Sequence, residues 1–548
     1  MTFDPLQDLR ATMCAAAVAV RGSGGGLSVD PRLERPKREV LGDLSTNAAM
    51  LLAPVLDSPP RVIAERLGAE LAERLGESLE RWEVAGPGFL NLVLSDGWLR
   101  RSLSGVLFDG ADYGGGGAGP GERVLIEFVS ANPTGPLVAA SGRHAAYGDA
   151  LARILEHHGH DVWREYYFND AGNQIRLLGE SVRARARGEA APEGGYQGDY
   201  VFSLAERIPD AGERDVSDVA GEAVAILLAQ ITATLSRYGV RYDRFFSERT
   251  LHEGEPDAVA KAVGRLDEAG HIYRSEGAVW LRTTTFGDDK DRVVIRTGGE
   301  PTYLAADIAY LQDKRERGFA RQLLPVGADH HAYVRELKAA AAALGADPET
   351  VEVPILQFVH LVDGFIRAPF SKRRGSFVTL DDLLDEIGVD ASRFFMLQRS
   401  HDRTLDLDLD LARSQSAENP VYYVQYAHAR IASMLSRVES ARVLDAVGEQ
   451  GWRSWSEAAL HPSERRLILK LVALPDEITE AAERRAPHRM AGYALELAQE
   501  FTAFYRDCRV VGASPEEVET FRIALSVAAQ RTIALSLGLL GVSAPDSM

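Results

Sequence analysis

The stretch VLIEFVS, residues 124–130, constrains this chain most. It is a short apolar run rich in β-branched residues, the composition of a strand buried on both faces of a parallel sheet. The Gly and Pro residues of ANPTGPLVAASG break it off, and residues 143–157 then carry helical periodicity. Strand, Gly/Pro loop and helix make the opening of a βαβ unit. They predict an α/β fold built on a doubly wound parallel sheet. In such a sheet, the helix N-terminus beyond the strand's carboxyl end is the natural place for a phosphate. DVWREYYF, RVVIR, RQLLPVG and VEVPILQFVHLV read as further strands. Helical ADIAYLQDKRERG and YVRELKAAAAALG lie between them.

A chain of 548 residues exceeds one core and predicts about three domains. Residues 1–115 read as a small α/β domain, helical at 61–75 and strand-like at 87–95. The Gly-rich run 114–121 reads as a linker. The doubly wound core is expected over 120–400, with an insertion around 176–290 that includes the polar, Gly-rich stretch 188–200. Residues 401–548 are expected to form an all-α domain, because strand signals cease from about Ala417.

Apolar residues at 45% and charged residues at 26% are the composition of a globular protein. A net charge of −19 argues against an unspecific coat for DNA or RNA, since phosphate contacts need local Lys and Arg. Two basic runs remain as candidate patches: Arg183, Arg185 and Arg187, and Lys372, Arg373 and Arg374. Cys14 and Cys508 lie at opposite ends, which suggests neither a disulfide framework nor a thiolate metal site, so no protein-bound metal is expected. The apolar segment 15–20 follows Asp4 and Asp8 in place of a basic stretch, and no run of 18 apolar residues occurs. Neither a signal peptide nor a membrane span is expected, and the cytoplasm follows as the expected location.

Several stretches, taken in order, resemble one family. EFVSANPTGPL leads into GRHAAYGDALARIL, and REYYFNDAGNQI, TYLAADIAYLQDK and VGADHHAYV follow. SKRRGSFVTLDDLL and ENPVYYVQYAHARI come last. In this order and at these spacings the chain resembles the arginyl-tRNA synthetases, a class I family. GDLSTNAAM and AGPGFLNLVLS resemble that family's extra N-terminal domain, and LLGVSAPDSM resembles its C-terminus. The resemblance implies a Rossmann-type core with insertions, an N-terminal domain that touches the outer corner of tRNA, and a helical anticodon-binding domain. It implies activation of arginine by ATP with Mg²⁺, then transfer to tRNA(Arg), with the tRNA bound during activation. A monomer is the family habit, and no DNA or membrane partner is implied.

A guanidinium presents a planar fork of donors, so its site needs a carboxylate with flanking acceptors. The resemblance assigns Glu127, Ser130 and Asn132 to the ammonium and carboxylate of arginine. It gives Asp307 to the guanidinium, with Tyr303 four residues before it on one helical face and Gln357 as a further polar contact. Asn169, Asp170 and Gln174 fall either at the site's rim or, for the first two, at a helix N-cap. For the nucleotide it points to Gly135, Pro136, Ser141, His330 and His331.

The family's His-x-Gly-His element does not survive here. Its positions hold Val138, Ala139, Ala140 and Ser141, of which only the serine can donate a side-chain hydrogen bond. The Lys-Met-Ser-Lys-type loop reads Pro369, Phe370, Ser371, Lys372, Arg373, so the serine, the second lysine and the arginine remain as candidate catalytic groups. Pro369 would stiffen that loop. His144, three residues after Ser141 on a similar face, is the candidate to replace a lost imidazole. One preorganised donor to developing charge is worth on the order of 10²–10³ in rate. Three functions fit: an arginine–tRNA ligase with an altered nucleotide site, a paralogue acting on arginine or arginyl-tRNA without adenylation, or a non-catalytic binder of arginine or tRNA.

Overall fold

A computed structural model describes residues 4–22, 31–36, 42–363, 366–367, 378–455 and 457–548. Its centre is a five-stranded sheet. The strands are β1 (Arg123–Glu127), β2 (Asp161–Phe168), β3 (Arg244–Ser247), β4 (Arg321–Leu323) and β5 (Val351–Glu352). They lie in the order β5-β4-β1-β2-β3, every neighbouring pair parallel. The chain runs outward from β1 in one direction and then, through β4, in the other. The crevice outside the carboxyl ends of β1 and β4 is therefore the topological switch point, where such sheets bind ligands. Helix α1 (Ser141–His158) returns β1 to β2. Its Gly148 is required by contact: a Cβ there would lie 2.2 Å from the Phe128 ring.

The stretch 176–290 is not one excursion. Helices α2 (Gly172–Ala186), α3 (Asp199–Arg207) and α4 (Val216–Arg237) form a subdomain with its own apolar cluster, and then β3 rejoins the main sheet. Helix α4 is long and apolar enough to cross a membrane by length and composition alone. In the fold it packs Val219, Ala223 and Leu227 against Leu178 and Val182 of α2. RVVIR was expected in the parallel sheet, but Arg292–Ile295 joins an antiparallel sheet with Ile272–Ser275 and Ala278–Leu281. The latter two strands are joined by Glu276-Gly277, both at positive φ, the turn whose twist matches that of a hairpin. Local composition predicts a strand there but not the sheet that receives it.

Pro325 and Pro354 divide the next two strand candidates, because a proline cannot donate to a ladder. RQLLPVG supplies β4 and a two-residue strand, Val326–Gly327, while VEVPILQFVHLV supplies β5, Ile355–Leu356 and Val359–Asp363. Val359–Asp363 pairs in parallel with Leu405–Asp408, a strand inside the region expected to be purely helical. Helix α5 (Tyr303–Glu316) precedes β4, α6 (His331–Ala343) follows it, and α7 (Leu380–Leu397) lies between the two strands of this pair. A Thr379–Asp382 capping box starts α7. Helix α8 (Pro420–Leu435) opens the helical C-terminal region, with Asn419 as its cap and Pro420 at its first position.

Among the described residues, the N-terminal region is four α-helices with a four-stranded antiparallel sheet. The Gly-rich run that follows does not hang free: Gly116 and Ala118 donate to the carbonyls of His157 and His158 at the end of α1. Arg393 of α7 is the central tie. Fully buried, it pairs with Asp149 of α1 at 2.6 Å and donates to the carbonyls of Tyr238 and Leu540. One guanidinium thereby joins α1, the end of α4, α7 and the C-terminal helix.

Candidate active site

At the carboxyl end of β1 the backbone is strained: Val129 and Ser130 both have positive φ, at 68° and 41°. A β-branched residue in that region is a true outlier, and such strain collects at functional sites. The turn it makes opens a cavity of about 350 Å³ against α5, α6 and the segment after β4.

The cavity holds Glu127, Ser130, Asn132, His144, Tyr303, Asp307 and His330 of the residues expected from sequence. Gln357 is not among its lining residues; its backbone is engaged instead, its N–H with His401 and its carbonyl with the buried Arg143. Asn169 lines the cavity, whereas Asp170 accepts from Ser247 and from the Arg249 backbone. Neither residue caps α2, whose N-cap is Ala171; Asn169 makes a local turn by accepting from the Ala171 N–H. The side chain of His331 and residues Pro369, Phe370, Ser371, Lys372 and Arg373 lie outside the described residues.

Five groups that sequence reasoning did not single out complete the wall: Tyr167, Glu248, Tyr310, Lys314 and Tyr333. The signal for two of them was available on α5. Asp307, Tyr310 and Lys314 stand at intervals of three, four and seven, so the face that presents Tyr303 and Asp307 presents them too. Tyr303 itself is 70% exposed and stands at the mouth.

The electrostatics are unusual for a buried space. Three carboxylates face one cavity, with one buried ammonium among them. Lys314 Nζ lies 2.6 Å from Glu127 Oε2 and 3.8 Å from the centroid of the Tyr310 ring. Beneath them Glu165, fully buried, accepts from Tyr310 and from both Nη atoms of Arg317. Among the described residues Asp307 has no ion-pair partner, and Lys314 acts on it only at a distance. Burial, and then the charges of Glu127 and Glu248, outweigh its bond with Tyr333 and raise its carboxyl to about 7. Burial likewise raises Glu248, which bonds Tyr167. Among the described residues three carboxylates line the cavity against one ammonium, and a cationic ligand would redress that excess.

The nucleotide positions are structured differently. Val138 forms a β-bridge with Thr379, Ala139 donates to the Val378 carbonyl, and Leu380 donates to that of Leu137. These bonds tie the degenerate signature to residues 378–380. Ala140 is the N-cap of α1 and makes no side-chain cap bond. Gly135 lies under the Tyr200 ring, and Tyr200 donates to the Thr134 carbonyl, so α3 braces this loop. Pro136, Ser141 and the other signature residues do not line the cavity. His144 does, but burial and the neighbouring Arg143 lower it to about 4, so its imidazole is neutral near pH 7. The second basic run lies outside the described residues, and the first serves its own subdomain: Arg185 stacks on Phe202 and Arg187 donates to the Gly212 carbonyl.

A doubly wound parallel sheet, an acidic amino-acid-sized cavity at its switch point and a helical C-terminal region together define a class I aminoacyl-tRNA synthetase architecture. Comparison with known families agrees. Residues 216–433 match "tRNA synthetases class I (R), catalytic domain", 9–94 match "Arginyl tRNA synthetase N terminal domain", and 424–548 match "DALR anticodon binding domain". The chain is 45% identical to an arginine–tRNA ligase of Frankia alni over 94% of both chains. It is 43% identical to that of Bacillus subtilis over the same share of each. The solved Thermus thermophilus arginyl-tRNA synthetase has the same fold, with a TM-score of 0.77 over 99% of this chain and all of that one, at 24% identity. The chain belongs to the arginyl-tRNA synthetase family.

Proposed function

We propose that this protein binds arginine in the β1/α5 cavity and joins it to tRNA(Arg) after activation by ATP, as a monomer in the cytoplasm. The observation that carries the reading is Asp307, a buried carboxylate with no ion-pair partner among the described residues, set beside Glu127 and Glu248. A guanidinium meets that need better than an ammonium, because its planar fork can engage a carboxylate and flanking phenols together. Tyr303 and Tyr333 line the same cavity, which supports this reading. The N-terminal and C-terminal family matches support tRNA as the partner.

ATP with Mg²⁺ is the co-substrate that family membership implies. Val138, Ala139, Ala140 and Ser141 offer its phosphates one neutral hydroxyl, so the charged donors left in the two signatures are Lys372 and Arg373, with Ser371 adding a second neutral hydroxyl. Gly135 and Pro136, with His330 and His331, complete the nucleotide assignment. Activation is therefore slow for this family, by on the order of 10²–10³ for each lost donor, with losses short of additive. ATP–pyrophosphate exchange that requires both arginine and tRNA tests the reading. The loss at 138–141 favours one second reading, a paralogue acting on arginine or arginyl-tRNA without adenylation. It predicts arginine binding with no exchange.

A further inference from the structure

The residues assigned to the substrate's ammonium are already engaged with one another. Glu127 holds Lys314 through Oε2 and accepts from Ser130 through Oε1. The Ser130 hydroxyl also accepts from the Tyr167 N–H. Asn132 accepts from the Asn169 N–H and donates to Gln174. Lys314 thus balances the one carboxylate at that end of the cavity. His144 faces the same space from the first turn of α1, and the Pro325 carbonyl, on the same cavity wall, favours a proton on the ring nitrogen nearest to it. We propose that His144 is a substrate-binding residue: it presents its unprotonated ring nitrogen to the cavity and accepts a hydrogen bond from the α-ammonium of the bound amino acid.

The tautomer follows from the contact with Pro325, because a carbonyl can only accept. The groups around the ring keep it neutral. Arg143 on its own helix and His330 beyond β4 oppose a second proton, burial opposes it more, and Asp329 only partly offsets them. A neutral imidazole held this way has a lone pair and no N–H for the cavity. It is therefore a poor phosphate ligand and does not replace the lost signature histidines. Its complement is a donor, and the α-ammonium is the donor an amino acid offers at that end. This assignment rests on the arginine reading.

The test is calorimetry on the full chain with two ligands, arginine and 5-guanidinopentanoic acid, which is arginine without its α-amino group. A hydrogen bond to a charged group is worth about tenfold or more in affinity. The natural protein is expected to prefer arginine by at least about that factor. In His144→Phe the preference collapses, with arginine weakened about tenfold and the analogue changed less than about twofold. His144→Gln, which keeps an acceptor oxygen, restores part of the preference. If His144→Phe does not fold, His144→Ala is read the same way. Equal weakening of both ligands, or an unchanged preference, overturns the assignment. Failure of the natural chain to bind arginine at all overturns the arginine reading and this one with it.

Discussion

Arginine binding should be coupled to a proton near neutral pH, and the source is Asp307. In the free protein its carboxyl titrates at about 7, because burial and the charges of Glu127 and Glu248 disfavour the ionised form. A guanidinium pairs with the ionised form. At pH 8 about nine-tenths of the free protein is ready to bind, at pH 7 about half and at pH 6 about a tenth. Affinity should therefore fall about tenfold from pH 8 to pH 6, and about half a proton should leave per arginine bound at pH 7. Calorimetry in two buffers of different ionisation enthalpy counts that proton. The same linkage acts on stability. A carboxyl raised in the folded state contributes stability that is fully present below its unfolded value and lost as pH rises through about 7. The gain in Tm from saturating arginine should thus be larger at pH 8 than at pH 6. Asp307→Asn should flatten the pH dependence and weaken arginine by on the order of 10²–10³. Equal affinity at pH 6 and pH 8, with no proton released, refutes the reasoning.

Two further outcomes follow from the buried cations. Lys314→Met removes the charge that holds Asp307 down, so the midpoint of the arginine-binding profile should move to higher pH; an unmoved midpoint would detach Lys314 from the site's electrostatics. Arg393→Leu leaves Asp149 buried with only Arg153 and Arg164 and unties four elements, at a cost of about 3–5 kcal/mol in urea unfolding. A loss below about 1 kcal/mol would mean those elements hold together without it.

The parts of the fold legible in the sequence are those fixed by local chemistry. The run at 124–130 reads as a buried strand because it is apolar and β-branched, and ANPTGP must break it because of its Gly and Pro. Arg292–Ile295 shows the limit: four residues with strand character do not say which sheet receives them, since that depends on a hairpin partner at 278–281. Leu405–Asp408 hides for the same reason, its pairing with Val359–Asp363 being set by tertiary context. In the site, the acidic groups are visible as residue types, but the neutralisation of Glu127 by Lys314 is not. It depends on α5 lying across the end of β1, 187 positions away along the chain. The state of His144 is likewise a product of burial and of one carbonyl, neither of which a helix pattern reports.

The most direct test of the central claim is charging of total tRNA with labelled arginine and ATP by the natural chain, run beside a Val138→His, Ala140→Gly, Ser141→His triple variant. The account predicts arginine-specific charging by both, faster in the variant by on the order of 10² or more. No arginine on tRNA from either protein would contradict it.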